Sequence, residues 1–341
     1  MSARAHLRAL VAAWLEQTAP LRYRDLPARQ DPPFASLTFG AAGIAYALYR
    51  AGVALGDGAL LDRGERWAEA AGRHAGRLPA ASLAYGRGGI RFVRVLLAQA
   101  RGDGAGVKRR VGELVRAARP SGPTELLFGT AGQLTGALVL LEATGDDRLR
   151  ALADRHARTL LGGRAWTKGA DRALAHGQAG PFYALLRWAR ATGGTLPAWF
   201  WSALDRLARE AGPWLRARES AQKPVLDRTW CNGSAGLALL WAAASAQRGA
   251  RFARLARSAA RAGLASAALA GGDLCCGLAG RAYALAAAGM RAEALSLAAS
   301  AAEQMRGRWP NGLLKGYPGL VCLALDLAHE RTPRGFPLLE A

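Results

Sequence analysis

Residues 38–52 read TFGAAGIAYALYRAG: a Gly-x-x-Gly tetrad, Gly40 and Gly43, running directly into an apolar stretch. The tetrad occurs seven times, with first glycines Gly40, Gly86, Gly129, Gly177, Gly233, Gly277 and Gly316. Successive intervals are 46, 43, 48, 56, 44 and 39 residues, a period that suits one helical hairpin per repeat. The segments that follow a tetrad are nearly continuous in apolar residues, as in QLTGALVLLEATG after Gly132 and LALLWAAASAQRG after Gly236. A helix apolar all round is a buried helix. Between them lie segments with Arg and Glu on one side, such as ALLDRGERWAEAAGRHAG (59–76), DDRLRALADRHARTL (146–160) and ARFARLARSAARAGLAS (250–266). These suit an outer layer that is wet on one face.

Seven buried helices alternating with seven amphipathic ones predict an all-α fold. The expected form is a seven-fold α/α toroid, a double-layered barrel with seven inner and seven outer helices, as one domain over residues 1–341. The inner helices then run parallel, and all seven tetrads gather at one end, where glycine lets crowded backbones approach. A one-dimensional solenoid has the same repeat but needs polar terminal caps. Here both terminal repeats keep the tetrad and an apolar helix, so the ring is expected to close.

Composition agrees. Of the 341 residues 51% are hydrophobic, enough for a large core. Ala and Leu dominate, which favours helix over sheet. The formal charge is +21, yet Lys108, Lys168, Lys223 and Lys315 are the four lysines among 46 basic residues. The arginines are scattered, no helix concentrates them, and the charge reads as compositional bias rather than a nucleic-acid face. No apolar run reaches the roughly 18–20 residues of a membrane span, and the first twenty residues read as an amphipathic helix rather than a signal peptide. Four cysteines in a chain of this length are no disulfide framework. A soluble cytoplasmic protein with reduced thiols is expected.

The chemistry lies just before the first glycines. The preceding residues, here called stations one to seven, are Phe39, Tyr85, Phe128, His176, Asn232, Cys276 and Lys315; one place earlier stand Thr38, Ala84, Leu127, Ala175, Cys231, Cys275 and Leu314. Stations one to three carry aromatics, as structural repeats would. Cys231 and Cys275 hold the same place in adjacent repeats, and Cys276 adds a third sulfur. Three thiolates around one point make a zinc site with one position open. The spacing is no standard local zinc signature, and buried apolar cysteines are the alternative that the residues leave open. Cys322, inside the last inner helix, is expected to be a core residue.

The segments LAHGQAG (174–180), RTWCNGSAG (228–236) and LCCGLAG (274–280) together resemble the lanthionine synthetase C family, the cyclases of lanthipeptide biosynthesis and their relatives. That family carries His-Gly-x-x-Gly, Trp-Cys-x-Gly and then Cys-His-Gly or Cys-Cys-Gly, in this order. The resemblance implies an α/α toroid with Zn2+ at its centre, held by Cys231, Cys275 and Cys276. It implies that peptide Cys thiolates add to dehydroalanine or dehydrobutyrine to form thioether rings. It implies His176 as the acid–base residue, Glu125 as a carboxylate orienting it where the family has Asp, and Arg228 as a stabiliser of the enolate. Sulfur at 276 stands where the family more often has His, and Asn232 where relatives often have Tyr or His. The partner would be a dehydrated precursor peptide, leader plus core; since the toroid uses up 341 residues, a separate dehydratase is expected. A prenyltransferase-like thiol-alkylating barrel and a non-catalytic peptide-binding scaffold are the competing readings.

Four further expectations concern the periphery. Residues 216–229 are expected to form a loop over the tetrad face, 19–36 a surface connection, and the tail from Arg331 a loosely held end. His6, His74, His156 and His329 are expected to face solvent.

Overall fold

In the computed structural model every tetrad opens an α-helix; residues 2–26, 34–76, 78–118, 122–219, 226–264, 270–305, 312–328 and 335–339 are described. The helices that start at the tetrads are α2 (Ala41–Leu55), α4 (Arg87–Ala100), α6 (Thr130–Thr144), α8 (Ala179–Thr192), α10 (Ser234–Arg248), α12 (Leu278–Ala287) and α14 (Tyr317–Ala328). They form the inner layer, and most of their residues are buried. The outer layer is α1 (Ala3–Thr18), α3 (Gly58–Arg73), α5 (Gly104–Ala117), α7 (Asp147–Gly162), α9 (Ala198–Glu219), α11 (Ala250–Ala262) and α13 (Arg291–Met305). The described residues contain no strand. The chain is an α/α toroid.

Local chemistry sets the helix ends. Gly56, Gly145 and Gly193 close α2, α6 and α8 in the left-handed conformation, at φ 71°, 67° and 74°, where an L side chain is strained. Asp57, Asp103 and Asp146 cap the first amides of α3, α5 and α7, which stabilises each helix by about 1 kcal/mol. The second tetrad glycine has a different reason. A Cβ on Gly236 would lie 2.0 Å from the carbonyl oxygen of Trp230, and one on Gly280 2.3 Å from that of Leu274. The loop folds back onto its own helix start, six residues on, and leaves room only for hydrogen.

The ring closes. α14 packs beside α2 and also beside α1, whose Leu7, Val11 and Trp14 are buried. Each such side chain contributes about 1.5–3 kcal/mol. A buried ion pair spans the seam between first and last inner helices, Arg50 Nη2 to Asp326 Oδ1 at 2.6 Å, and the Tyr283 hydroxyl donates to Asp326 Oδ2 at 3.1 Å. Removing either charge leaves the other buried and costs roughly 3–5 kcal/mol.

At the tetrad end the loops bond to one another around the circle. Thr38 N donates to Ala84 O (3.1 Å), Leu127 N to Ala175 O (3.3 Å), Ala175 N to Cys231 O (3.1 Å), Cys275 N to Leu314 O (2.7 Å) and Leu314 N to Thr38 O (3.2 Å). The Ser82 hydroxyl joins the second loop to Leu127 O at 3.0 Å. The backbone partners are the residues two places before each first glycine, so the register read from the sequence is the register of the ring.

The tail departs from expectation. Residues 331–334 lie outside the described part, but Phe336, Leu338 and Leu339 are buried in the lumen. Phe336 packs on Trp230 and Tyr283, with centroids 4.7 and 5.2 Å apart. The Tyr183 hydroxyl donates to Leu339 O at 3.0 Å, and Arg187 donates to the same oxygen. A seven-helix ring leaves space along its axis, and three apolar side chains occupy part of it.

His156 is a second correction. It is fully buried on the inward stripe of α7 with Leu149, Leu152, Ala153 and Leu160, and burial pushes its pKa down to about 4. His74 is exposed and stacks on Tyr23, His6 is partly exposed, and His329 lies outside the described residues. Residues 216–219 continue α9 rather than starting a loop; 220–225 and, in the first connection, 27–33 are outside the described residues. Cys322 is a fully buried core residue, as expected.

Candidate metal centre

Cys231 and Cys275 leave the loop ring at equivalent points, and their side chains meet. Their sulfurs are 3.8 Å apart, the Cys275 and Cys276 sulfurs 3.7 Å, and all three lie within 4.8 Å of one another. Cys231 is buried and the other two half-buried, all as free thiols. Two zinc–sulfur bonds of about 2.3 Å at the tetrahedral angle span roughly 3.8 Å, so two of the three edges already have the length such a centre needs. The donor set also fits on charge. Hydrogen bonds from Cys231 and Cys275, and then Lys315, hold the Cys276 thiol far below its usual range. The Cys275 thiol is driven far up by its bonds to the other two sulfurs and by burial. One thiolate so close suppresses the next, and a cation between them relieves all three. Asn232 Nδ2 approaches the Cys231 sulfur at 3.6 Å and the Thr229 hydroxyl lies 3.4 Å from it, further groups suited to a thiolate.

In five of the seven repeats the turn before the station is built alike; stations four and seven have Ala173 and Gly312 at the cap position. The station amide is capped by a side chain three residues earlier: Phe39 N by Ser36 Oγ (3.2 Å), Tyr85 N by Ser82 Oγ (3.2 Å), Asn232 N by Thr229 Oγ1 (3.1 Å) and Cys276 N by Asp273 Oδ1 (2.9 Å). Glu125 is the same cap in the third repeat, with Oε1 accepting from Phe128 N at 3.1 Å. Its other oxygen reaches the next loop and meets His176 Nδ1 at 2.7 Å. This contact raises the pKa of His176 against the opposing effect of burial. The longer carboxylate at 125 therefore does reach the histidine, because it hangs from a fixed turn.

Arg228 ends the short turn Leu226–Arg228 ahead of Cys231 and lies beside a second guanidinium, Arg281. Arg281 is buried on α12, one turn past Gly277, and donates to Gly263 O at 3.1 Å. Burial and then the charge of Arg228 lower its pKa to about 10, while the negative charge of Cys276 raises it. The sequence reading missed Arg281; its signal is a charge four residues into a helix otherwise apolar. It also underread the aromatic stations. Phe39, Tyr85 and Phe128 form one run of rings, the first pair tilted by 45° with centroids 5.3 Å apart and the second stacked at 4.4 Å, continued by His176 stacked at 5.6 Å. Phe128 is 43% exposed, which a purely structural ring would not be. Burial, and then the neighbouring Cys275 and Cys231, push the Tyr85 phenol up to about 12.

Trp230, the residue before Cys231, packs on Phe336 of the buried tail. With the geometry in place, comparison with known proteins is decisive about kinship. The lanthionine synthetase C-like protein family model matches residues 34–340. The chain belongs to the lanthionine synthetase C-like family. A solved structure, nisin cyclase, superposes with a TM-score of 0.67 over 96% of this chain and 94% of that one, at 15% identity. No curated protein sequence matches at a significant level. Within the lanthionine synthetase C-like fold, Cys231, Cys275 and Cys276 form the group of described residues able to hold a metal ion. No described helix is long and apolar enough to cross a membrane.

Proposed function

We propose that the protein is a zinc-dependent thioether cyclase acting on a dehydrated precursor peptide, adding Cys thiols to dehydroalanine or dehydrobutyrine. The observation that carries this reading is three converging sulfurs, two of their edges 3.8 and 3.7 Å long, with Cys231 on the loop adjoining the one that carries a histidine held by a carboxylate. Zinc held by Cys231, Cys275 and Cys276 would, when bound, lower the pKa of the peptide thiol so that it reacts as a thiolate near neutral pH.

The remaining work falls to the chain. Addition of sulfur to the β-carbon places negative charge on the neighbouring amide oxygen. Arg228 and Arg281 supply fixed positive charge for that oxygen, and an oriented cation in a dry site is effective there. The α-carbon then takes a proton from His176. Glu125 fixes Nδ1 of that ring, so Nε2 is the nitrogen left for transfer, and the raised pKa keeps the donor form populated. The thiol loses one proton and the carbon gains one, so the mass of the peptide does not change. The flat unsaturated residue, with its β-carbon at the thiols and its α-carbon at His176, extends over Phe128 and Tyr85. A dehydratase would make this substrate from Ser and Thr.

The test is direct. A dehydrated peptide with free Cys, incubated with zinc-loaded protein, should lose thiol reactivity at unchanged mass, faster than without protein. An unaccelerated reaction across several dehydrated peptides would reject the cyclase reading.

A further inference from the structure

The caps around the mouth differ in one respect that the three sulfurs alone do not reveal. Ser36, Ser82 and Thr229 cap their own turns with an uncharged hydroxyl. Glu125 and Asp273 cap theirs with a carboxylate, and each of these also holds the basic station of the following loop. Glu125 holds His176 at 2.7 Å, and Asp273 Oδ1 lies 3.5 Å from Lys315 Nζ. Lys315 is thus to the sixth turn what His176 is to the third. Between these two basic groups lie stations five and six, the arc that carries the thiols.

Lys315 is also tied to the third sulfur. Loops six and seven are joined by the 2.7 Å bond from Cys275 N to Leu314 O, which puts Cys276 and Lys315 side by side. Asp273 Oδ1 accepts from Cys276 N at 2.9 Å and faces the ammonium at 3.5 Å, so one carboxylate oxygen brings the ammonium beside Cys276. A lysine suits this place: a compact charge whose three donors serve carboxylate and sulfur together.

We propose that Lys315, held by Asp273, is the counter-ion of the Cys276 thiolate and makes a third sulfur workable where an imidazole would need no such partner. Zinc with two thiolates and a neutral imidazole carries no net charge; a third thiolate adds one negative charge, and the incoming peptide thiolate another. The Lys315 ammonium, brought beside Cys276 by Asp273, offsets one of these. Lys315 is a positioning residue in this sense, not a catalytic one. The inference rests on the zinc reading above but not on the cyclisation step, because its prediction concerns metal affinity.

The experiment is a chelator competition for zinc on the full chain, in five forms: wild type, Lys315→Met, Lys315→Arg, Cys276→His and the double variant Lys315→Met/Cys276→His. Helical circular dichroism and melting temperature serve as the folding check. In the wild-type background Lys315→Met should weaken zinc about tenfold, about 1.4 kcal/mol, and Lys315→Arg should recover most of it. In the Cys276→His background the same lysine change should alter affinity less than twofold. Equal losses in both backgrounds, or none in either, would overturn the proposal. If Lys315→Met fails the folding check, the Arg variant and Asp273→Asn decide: Asp273→Asn keeps the turn cap and frees the ammonium, and an unchanged affinity there counts against the assignment. A protein that binds zinc with this lysine dependence yet cyclises nothing keeps the inference and loses the cyclase reading. A wild type that binds no zinc loses both.

Discussion

The mouth of the toroid carries two arcs on one backbone plan. Stations one to three hold Phe39, Tyr85 and Phe128, a run of rings; stations four to seven hold His176, Asn232, Cys276 and Lys315. The turns beneath share the same close approach at the second glycine, and five of the seven share the same cap three residues back. What changes is the side chain at positions the backbone leaves free. The aromatic arc is apolar, stacked and partly exposed; the other is charged and holds its groups with carboxylates anchored in the turns. One arc is suited to bind and the other to react. The scaffold gains precision from repetition, because each turn is fixed by its neighbours before any functional side chain is placed.

The largest effect that separates the arcs is loss of a sulfur. Cys231→Ala should lower zinc affinity on the order of a thousandfold and abolish cyclisation, while Phe39→Leu should leave the metal in place. Metal content after gel filtration measures this, and full zinc stoichiometry in Cys231→Ala would show that the three sulfurs are not one centre. Next comes the proton donor. His176→Ala should cost roughly 100- to 1000-fold in kcat with zinc retained. Glu125→Gln is subtler. His176 acts with its proton on, and Glu125 raises its pKa, so the active form persists to higher pH in the wild type. In Glu125→Gln the alkaline limb of kcat should move to lower pH, and the rate on its acid side should change little. A limb that stays in place would mean that some other group donates the proton.

Much of this was legible in the sequence, and particular residues show why. The tetrads fix the inner helices because a glycine pressed on a carbonyl six residues back tolerates nothing else, and the seven-fold register follows from counting them. The equivalence of Cys231 and Cys275 follows from the same count, and each bonds through its backbone to the equivalent residue of a neighbouring loop, Ala175 and Leu314. Glu125 and His176 are 51 residues apart; only the equivalence of Glu125 with Ser36 and Ser82 reveals that its carboxylate hangs over the next loop. The buried tail escaped because polar Arg331 and Arg334 precede it, and nothing local states that the barrel axis is vacant. His156 escaped because its charge class was read without its phase: positions 149, 152, 153, 156 and 160 are one stripe of α7, and the stripe faces inward. Arg281 escaped for the converse reason, a charge in an apolar helix being easy to pass over.

The smallest expected effect tests the aromatic arc itself. Phe128 lies between Tyr85 and His176, 43% exposed, and its amide is the one that Glu125 caps. Phe128→Leu keeps that amide and most of the apolar bulk while removing the flat face. The turn, the Glu125–His176 contact and the metal site should survive, and stability should shift by no more than about 1 kcal/mol, the scale of a lost ring pair. If the ring receives the planar unsaturated residue, KM should rise about three- to tenfold and kcat change less than twofold, because only binding common to ground and transition states is lost. If the ring instead steadies His176, kcat should fall and KM hold. Steady-state kinetics on one dehydrated peptide separates the two, and the second outcome would move Phe128 from the binding arc to the reacting one.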